Sequence, residues 1–508
     1  MKNKDIFKMG FYITSGSIIL YKLMELLLLI PLKELVGLQV LASYSFAYAI
    51  FTILFTSVTV SLSMASMRTA SNYHLLADEK ARDIAGDIAK RLLLIFSSLI
   101  SFIIIVLAPL ISESHSLIIR IFVIAFLSLT SYRTIHTSLM ARQEFDKANR
   151  IELYETILRI ITLLIFAYIS VKLKLNSYQA ASFLASALVF SSLIMYLYSR
   201  NKFKLKTSKK KTNISTELIF KRIIQVAIPI VAIQFFKVFY NLIDIFFLPS
   251  IMKNFSYSSD LFSEVVLIYS LWGYKISEII ILLSLIPVMH YVYSIPLILK
   301  KKERKDLNRA VNNSIIRLLY TVLPMASLIS FLSPALWKIF FFKEARTNVL
   351  SLYIFLAVFI ALFTLVFSIQ EQLKSRRTLY ISLFSALLVK LIINYPLVRA
   401  FAQWGLPAYY GFIVASIITY AIAIIVSLAY LRIKFNISYE RTAKALTDII
   451  INITAVSLLM YLIKIKLPIE GTIIHSFGVI IVYSITYAIA YKFLAKKMKT
   501  VEYFKDET

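Results

Sequence analysis

Apolar and polar stretches alternate along the whole chain, and the apolar stretches are long. A helix needs about 20 mostly apolar residues to cross the hydrocarbon core of a bilayer. Fourteen stretches meet this requirement, at roughly 10–32, 41–66, 92–112, 117–140, 151–171, 177–199, 223–249, 264–291, 310–335, 348–371, 379–398, 408–431, 445–463 and 471–491. The pattern therefore predicts an all-α polytopic membrane protein with about 14 transmembrane helices.

The seventh stretch, Gln225 to Pro249, is apolar but carries a polar face. Lys237, Asn241 and Asp244 stand at i, i+4 and i+7, which places them on one side of a helix. Charged side chains at membrane depth are costly unless they face a partner or water. This helix is therefore expected to face a protein interior or an aqueous cavity.

The distribution of basic residues predicts the orientation of the chain. Of the 56 Lys and Arg residues, 38 lie in every second polar segment, beginning with the N-terminus, whereas 10 lie in the intervening loops and 8 within spans. Because basic residues accumulate in cytoplasmic loops, both termini are expected to be cytoplasmic in the cell membrane. The net charge of +29 is then explained by those loops and by anionic membrane lipids, and nucleic acid is not an expected partner.

The most polar interruption, Asn201 to Glu217, follows the sixth span and divides the chain into halves. The halves are weakly repeated: 149–166 resembles 380–397, with Arg159 matching Lys390. An offset of six spans keeps the orientation, which predicts parallel repeats. The predicted organisation is an N-lobe at 1–200, a basic cytoplasmic linker at 201–222, a C-lobe at 223–435, and two further spans with a basic tail at 436–508.

Ionisable and amide side chains recur inside the spans at helical spacing. The pairs are Lys22 with Glu25, Arg133 with His136, Glu155 with Arg159, Lys275 with Glu278, and Lys390 with Asn394. Each pair is open to two interpretations. In the first, the two side chains only satisfy each other, or the basic side chain extends to the membrane interface. In the second, the residues line an internal cavity. For the four lysines deepest in their spans we favour the cavity, because Lys22, Lys237, Lys275 and Lys390 each lie about eight or more residues from both ends. A basic cavity suits an anionic headgroup such as a diphosphate.

Signatures of enzymes are weak. The chain has no Cys, its five His residues are scattered without metal-ligand spacing, and it has no phosphate-binding glycine loop. We therefore expect no catalytic residues, no metal, no cofactor and no ATP hydrolysis by the chain itself.

Several segments resemble polysaccharide exporters of the stage V sporulation protein B type. They are Glu217 to Met252, Gln372 to Val398 with its LVKLIINY sequence, Arg133 to Arg159 with ELYETILR, and Phe51 to Ala70. The likeness covers about 10–435 in order. It implies membership of the multidrug/oligosaccharidyl-lipid/polysaccharide exporter superfamily, which includes lipid II flippases and the multidrug and toxic-compound extrusion transporters.

The resemblance implies two six-helix lobes in a V around a central cavity, with two additional C-terminal helices. It implies a flippase, functional as a monomer, that moves an undecaprenyl-diphosphate-linked cell-envelope glycan or peptidoglycan precursor from the inner to the outer leaflet by alternating access. The chain departs from the lipid II flippases in one respect. Those proteins carry several cavity arginines in spans one and two, whereas here span one offers Lys22 and span two has no basic residue before Arg68.

The resemblance also implies a cation site between spans seven and eleven. Asp244 resembles the acid of span seven, and our hypothesis is that the Lys390 ammonium replaces the metal cation and pairs with Asp244 within the C-lobe. The expected substrate-binding residues are Lys22, Glu25, Arg133, Lys237 and Lys275. The expected coupling or gating network is Asn241, Asp244, Lys390 and Asn394.

Two alternatives remain at this point. An ion-coupled small-molecule or multidrug exporter of the same superfamily would have an acidic cavity for cationic drugs, which the excess of intramembrane lysine disfavours. A membrane enzyme that modifies glycans would need a catalytic set on a sizeable outer loop, and the predicted outer loops are short.

Overall fold

The computed structural model describes residues 2–75, 78–142, 144–203, 214–301, 304–343, 348–469 and 471–498. Part of the predicted linker, residues 204–213, lies outside this description. All regular elements in the described ranges are helices. They are α1 Lys2–Val36, α2 Leu38–Leu54, a π-helical turn Phe55–Val60, α3 Ser61–Leu75, α4 Glu79–Ile111, α5 Ser116–Ala141, α6 Phe145–Lys172, α7 Ser177–Lys202, α8 Thr216–Asn254, α9 Ser259–Ser270, α10 Trp272–Leu285, α11 Met289–Lys301, α12 Arg304–Phe331, α13 Ser333–Phe341, α14 Val349–Gln372, α15 Arg376–Gln403, α16 Tyr410–Phe435, α17 Glu440–Lys466 and α18 Ile473–Lys497.

Thirteen helical stretches in the described part of the chain are long and apolar enough to cross a membrane. They correspond in order to predicted spans two to fourteen, and α1 covers the first predicted span. The prediction of an all-α polytopic membrane protein is confirmed.

Three predicted spans are not continuous α-helices; the ninth, at 310–335, breaks at Leu332 between α12 and α13. The second is interrupted by the π-helical turn, which joins α2 to α3. The eighth breaks at Leu271, whose backbone (φ −126°, ψ −81°) separates α9 from α10. A turn at 286–288 then leads into α11, and Pro287 in this turn lacks the N–H that would continue the helix.

The chain forms two compact units. The first comprises Met1–Phe246 and Ser258–Ser270, and the second comprises Phe247–Tyr257 and Leu271–Thr508. In the first unit α5 packs on α4 and α7, α6 packs on α7 and α1, and α2 packs on α9. The buried face of α7 is rich in Ala and Ser, and such small residues allow membrane helices to approach closely.

In the second unit α15 packs along α16, and α12 packs against α14. A glycine permits the closest approach. A Cβ atom on Gly411 would lie 2.6 Å from the backbone N and Cα of Val398, so the α15–α16 contact requires the absence of a side chain there. The last two helices dock on the same unit, α17 on α12 and α18 on α13.

Three tyrosines at four-residue spacing fix α18 in place: Tyr483, Tyr487 and Tyr491 are all buried. The Tyr491 hydroxyl donates to the carbonyl of Tyr320 at 3.3 Å, and the Tyr483 hydroxyl donates to the carbonyl of Leu467 at 2.6 Å. These bonds satisfy hydroxyl groups that would otherwise be buried without partners.

The turn between α4 and α5 is closed by His115. Its Nδ1 atom lies 2.9 Å from Ser112 Oγ and 3.0 Å from Ser114 Oγ. The ring packs against Phe46 and Tyr178, with centroids 4.8 and 5.2 Å away. Burial in this aromatic setting lowers the pKa of His115, because the charged imidazolium loses solvation.

Candidate functional site

The candidate site lies in the first unit and is organised by helix α6. Glu152, Glu155 and Arg159 stand at i, i+3 and i+7 of this helix and therefore share one face. Helix α6 packs against α1 and α5, each of which contributes charged or titratable side chains. The result is a group of six residues, here called the interior charge cluster: Glu25, Arg133, His136, Glu152, Glu155 and Arg159.

Glu152 joins the cluster to α5. Its Oε1 atom lies 3.1 Å from Nη1 of Arg133, which donates a hydrogen bond to it. Its Oε2 atom lies 2.9 Å from Nε2 of His136. Each oxygen of the carboxylate therefore has its own partner on the neighbouring helix.

Arg159 joins the cluster to α1. Its Nη2 atom donates to Oε1 of Glu25 at 2.6 Å, and its Nε atom lies 3.3 Å from Oε1 of Glu155. Near this contact the hydroxyl of Tyr21 donates to the carbonyl of Asn149 at 2.9 Å. The guanidinium thus holds two carboxylates, one on its own helix and one on α1.

The cluster has an enclosed part and a more accessible part. The side chains of Glu155 and His136 are 6% and 7% exposed, whereas those of Arg133 and Glu152 are 20% and 22% exposed. Opposite charges at this depth stabilise one another because water is largely excluded, and removing one partner leaves the other buried and uncompensated. An anion that reached Arg133 would have to compete with Glu152 for the guanidinium.

Five residues of this cluster were singled out by the sequence. Glu25 and Arg133 were predicted to bind substrate, and His136, Glu155 and Arg159 belong to the helical pairs found inside the spans. The sequence indicates only pairs within one helix, and the structure adds partners on other helices. Glu25 pairs with Arg159 of α6, and Arg133 pairs with Glu152 of α6. Lys22 lies one turn before Glu25 on α1 and is half-buried.

Glu152 is the residue that sequence reasoning missed. The signal was present, because Glu152 lies seven residues before Arg159 and three before Glu155, on the same helical face. It is the eighth residue of α6 and the second of the predicted span 151–171, so it lies near a span end, where charged side chains are common.

The polar face of α8 is only partly described. Lys237 and Asn241 lie on α8, and their side chains are outside the description. Asp244 is buried, with 2% exposure, and belongs to the first unit.

The remaining predicted residues belong to the second unit. Lys275 on α10 is buried, and Lys390 on α15 is fully buried and donates a hydrogen bond to the hydroxyl of Ser416 on α16. Asn394, one turn further along α15, is also buried. The pairing of Lys390 with Asp244 stays a prediction.

The chemistry available in the interior charge cluster is ion pairing and proton exchange. Within the described ranges no group of three or more His, Asp and Glu side chains is arranged to hold a metal ion. Guanidinium groups bind phosphate bidentately, and carboxylate and imidazole groups exchange protons with water. The cluster combines both capacities within hydrogen-bonding distance.

A family model described as "Polysaccharide biosynthesis protein" matches residues 7–289, slightly more than half of the 508-residue chain. No curated protein matches the chain in sequence. The family match confirms the predicted resemblance.

Solved structures share the fold across 82% to 96% of the chain. The lipid II flippase MurJ in an inward closed conformation aligns with a TM-score of 0.65 and 14% identity, covering 96% of this chain and 99% of its own. An inward-facing multidrug resistance MATE family transporter of the MOP superfamily aligns with a TM-score of 0.61 and 14% identity, covering 82% of this chain and 98% of its own. A MOP superfamily transporter from Pyrococcus furiosus, described by a binding pocket of reverse polarity, aligns at 0.56 with 16% identity, covering 85% and 95%.

At these identities the likeness shows the fold alone, and that fold is the one of MOP superfamily transporters and flippases. The solved neighbours are transporters and a flippase rather than enzymes, in agreement with the expectation from sequence. The chain is a multi-pass membrane protein with this fold.

Proposed function

Because the chain belongs to the polysaccharide biosynthesis protein family, we propose that it is a flippase for a lipid-linked glycan. Its substrate in this proposal is an undecaprenyl-diphosphate-linked cell-envelope glycan or peptidoglycan precursor. The protein moves this lipid from the inner to the outer leaflet of the cell membrane by alternating access, with both termini in the cytoplasm. The fold shared with a lipid II flippase supports the proposal.

The interior charge cluster is the observation that carries the proposal. Ionisable groups at membrane depth are expensive, and where they occur they mark substrate or ion pathways. Arg133 lies in the more accessible part of the cluster, and a guanidinium suits the two phosphates of a diphosphate linkage. We therefore assign Arg133 to the headgroup contact, and we propose Lys22 and Glu25 on α1 as further substrate-binding residues.

Further contacts and the coupling network follow from the sequence. Lys237 and Lys275 complete the proposed headgroup contacts. Asn241, Asp244, Lys390 and Asn394 are the proposed coupling network, in which buried lysine charge takes the place of a metal cation. Membrane lipids are the other expected partners, and the protein is expected to function as a monomer.

A second candidate function is ion-coupled export of small molecules, such as cationic drugs. One observation favours it: three carboxylates, Glu25, Glu152 and Glu155, stand in the cluster beside two guanidinium groups. A cationic substrate would interact with these carboxylates. Each of them already pairs with a cation or a histidine, which favours the lipid-linked anion as the substrate.

The experiment that separates the candidates is transport in proteoliposomes. The purified full-length chain is reconstituted, and a fluorescent undecaprenyl-diphosphate-linked glycan is monitored by quenching from one side, with and without a membrane potential and a pH gradient. Uptake of a fluorescent cationic drug is measured in the same vesicles, and protein-free vesicles serve as the control.

Translocation of the lipid-linked glycan well above the protein-free rate, with no drug uptake, is the expected result. Drug uptake without glycan translocation would overturn the flippase proposal in favour of the exporter. Absence of both activities under every gradient would remove both candidates.

A further inference from the structure

The geometry of the interior charge cluster points to a coupled uptake of protons, and we propose that the His136–Glu152 pair takes up a proton when a diphosphate binds to Arg133. This inference rests on the proposed function, because it assumes that an anionic diphosphate reaches Arg133. It adds a proton site in the first unit, apart from the coupling network predicted around Asp244 and Lys390.

The two oxygens of Glu152 serve different partners. Oε1 faces the Arg133 guanidinium at 3.1 Å, and Oε2 faces the His136 imidazole at 2.9 Å. While Arg133 balances the carboxylate, a second positive charge on His136 is disfavoured, because the guanidinium stands one turn away on the same helix and repels it. In the resting cluster the guanidinium therefore supplies the positive charge, and the imidazole is neutral.

Binding of a diphosphate changes this balance. The phosphate oxygens compete for the guanidinium of Arg133, and the charge of Glu152 is no longer compensated from that side. A bare carboxylate next to an incoming anion in a site with little water is strongly unfavourable. One proton from water, shared by Glu152 Oε2 and His136 Nε2, restores the charge balance without movement of the backbone.

Other charged and titratable groups surround the pair, and they limit where the proton can reside. Those acting on the pair itself are Arg133 and Tyr132 on α5, Glu155 on α6 and Tyr21 on α1. Glu155 is held by Arg159, which also holds Glu25. Lys90 of α4 lines a small cleft with Thr134 and Thr137 on the adjoining face of α5. When a phosphate pairs with Arg133, Glu155 keeps Arg159 as its partner, whereas Glu152 loses the guanidinium that balances its charge.

The consequence is a reciprocal linkage between anion and proton. A ligand that binds with the uptake of one proton gains at most tenfold in affinity for each unit by which the pH falls. With the proton on the Glu152–His136 pair, the loaded cluster carries one negative charge fewer than it would without it, which lowers the electrostatic cost of holding the diphosphate at membrane depth.

The test uses a short-chain prenyl-diphosphate-linked N-acetylglucosamine. Both of its phosphates are esterified at the sugar or prenyl end, so the probe keeps two negative charges between about pH 5 and 8 and takes up no proton itself. Binding to the detergent-solubilised full chain is measured by calorimetry in two buffers of different ionisation enthalpy, which yields the number of protons exchanged. Affinity is also measured between about pH 5.5 and 7.5, the range in which histidine titrates.

We expect an uptake approaching one proton and an affinity that increases as the pH falls. The Glu152→Gln and His136→Gln variants should bind the probe with no proton uptake and with little pH dependence. Two matched controls carry the same chemical changes outside the cluster: Glu144→Gln, which removes a partly exposed carboxylate paired with Lys147, and His115→Gln, in the α4–α5 turn. Both should retain proton uptake.

The outcomes separate this inference from the proposed function. Probe binding without proton uptake in the unaltered protein would overturn the inference and leave the flippase proposal standing. Proton uptake that persists in both cluster variants would also overturn it, because the proton would then reside elsewhere. Failure of the probe to bind at all would remove the substrate assignment together with the inference.

Discussion

Arg159 on α6 donates a hydrogen bond of 2.6 Å to Glu25 on α1, and the two residues stand 134 positions apart in the chain. This ion pair connects the first helix of the protein to the sixth. It also places Glu25, which the sequence groups with Lys22, in contact with the face of α6 that carries Glu152 and Glu155.

The first prediction concerns this ion pair. Glu25→Gln should lower the free energy of unfolding by about 1–3 kcal/mol, since a buried charged hydrogen bond loses its acceptor charge. Arg159→Met should lower the free energy of unfolding further, because it removes the cation that pairs with the carboxylates of both Glu25 and Glu155. The double variant should be close to Arg159→Met alone, and thermal unfolding in detergent measures all three. Strictly additive losses would show that the two side chains act independently.

The second prediction concerns substrate recognition by Arg133. Arg133→Gln should slow transport of the lipid-linked glycan by about 10- to 100-fold, the effect of losing a charge-assisted hydrogen bond of about 1.5–3 kcal/mol. Arg133→Lys should retain part of the rate, because an ammonium contacts phosphate as a point charge. Arg120→Gln is the matched control, since Arg120 lies on the same helix, is exposed, and is close to its other end. Equal losses in the Arg120 and Arg133 variants would contradict the assignment.

The third prediction concerns the close contact of α15 with α16. Gly411→Ala should destabilise the second unit by about 1–3 kcal/mol, because the added methyl group overlaps the Val398 backbone and the helices must separate. Gly478→Ala on α18 serves as the control, since nothing lies within 4 Å of its Cβ position. That change should be neutral or slightly stabilising, because alanine favours a helix more than glycine does. Thermal unfolding of the two variants checks the contrast.

The fourth prediction concerns pH and the α4–α5 turn. Burial lowers the pKa of His115 below its usual value of 6.5, so the folded protein favours the neutral ring more than the unfolded chain does. The resulting stability is present above pH 6.5 and is lost as the pH falls, because the unfolded chain then binds the proton more readily. His115→Phe keeps the aromatic packing and cannot be protonated.

The melting temperature of the His115→Phe variant should therefore fall less between pH 7.5 and about 5.5 than that of the unaltered protein. Other histidines titrate equally in both proteins, so the difference between the two curves isolates His115. Parallel curves over this range would show that the turn is insensitive to the charge of His115.

Much of the fold follows from the sequence, because the requirement for a membrane span is local. Apolar residues over about 20 positions suffice to identify a span, so spans two to fourteen agree with helices of the structure. Interruptions within spans are harder to predict. The break at Leu271 is followed directly by Trp272, whose ring stacks on Phe340 at 5.1 Å and packs on Phe341 at 4.8 Å, and such contacts with residues more than 65 positions away are not visible in the local sequence.

The sequence by itself determined that this protein is a helical membrane protein with ionisable groups deep in its spans, and its segments identified the family. Helical periodicity also placed Glu155 and Arg159 on one face, since that relation depends only on spacing along α6. The tertiary structure alone decided which charges meet. Glu25 finds Arg159, and Glu152 finds Arg133 and His136, because α1 and α5 pack against α6. Contacts between helices far apart in the chain depend on how the helices pack, and this packing cannot be predicted from the spacing of residues within one helix.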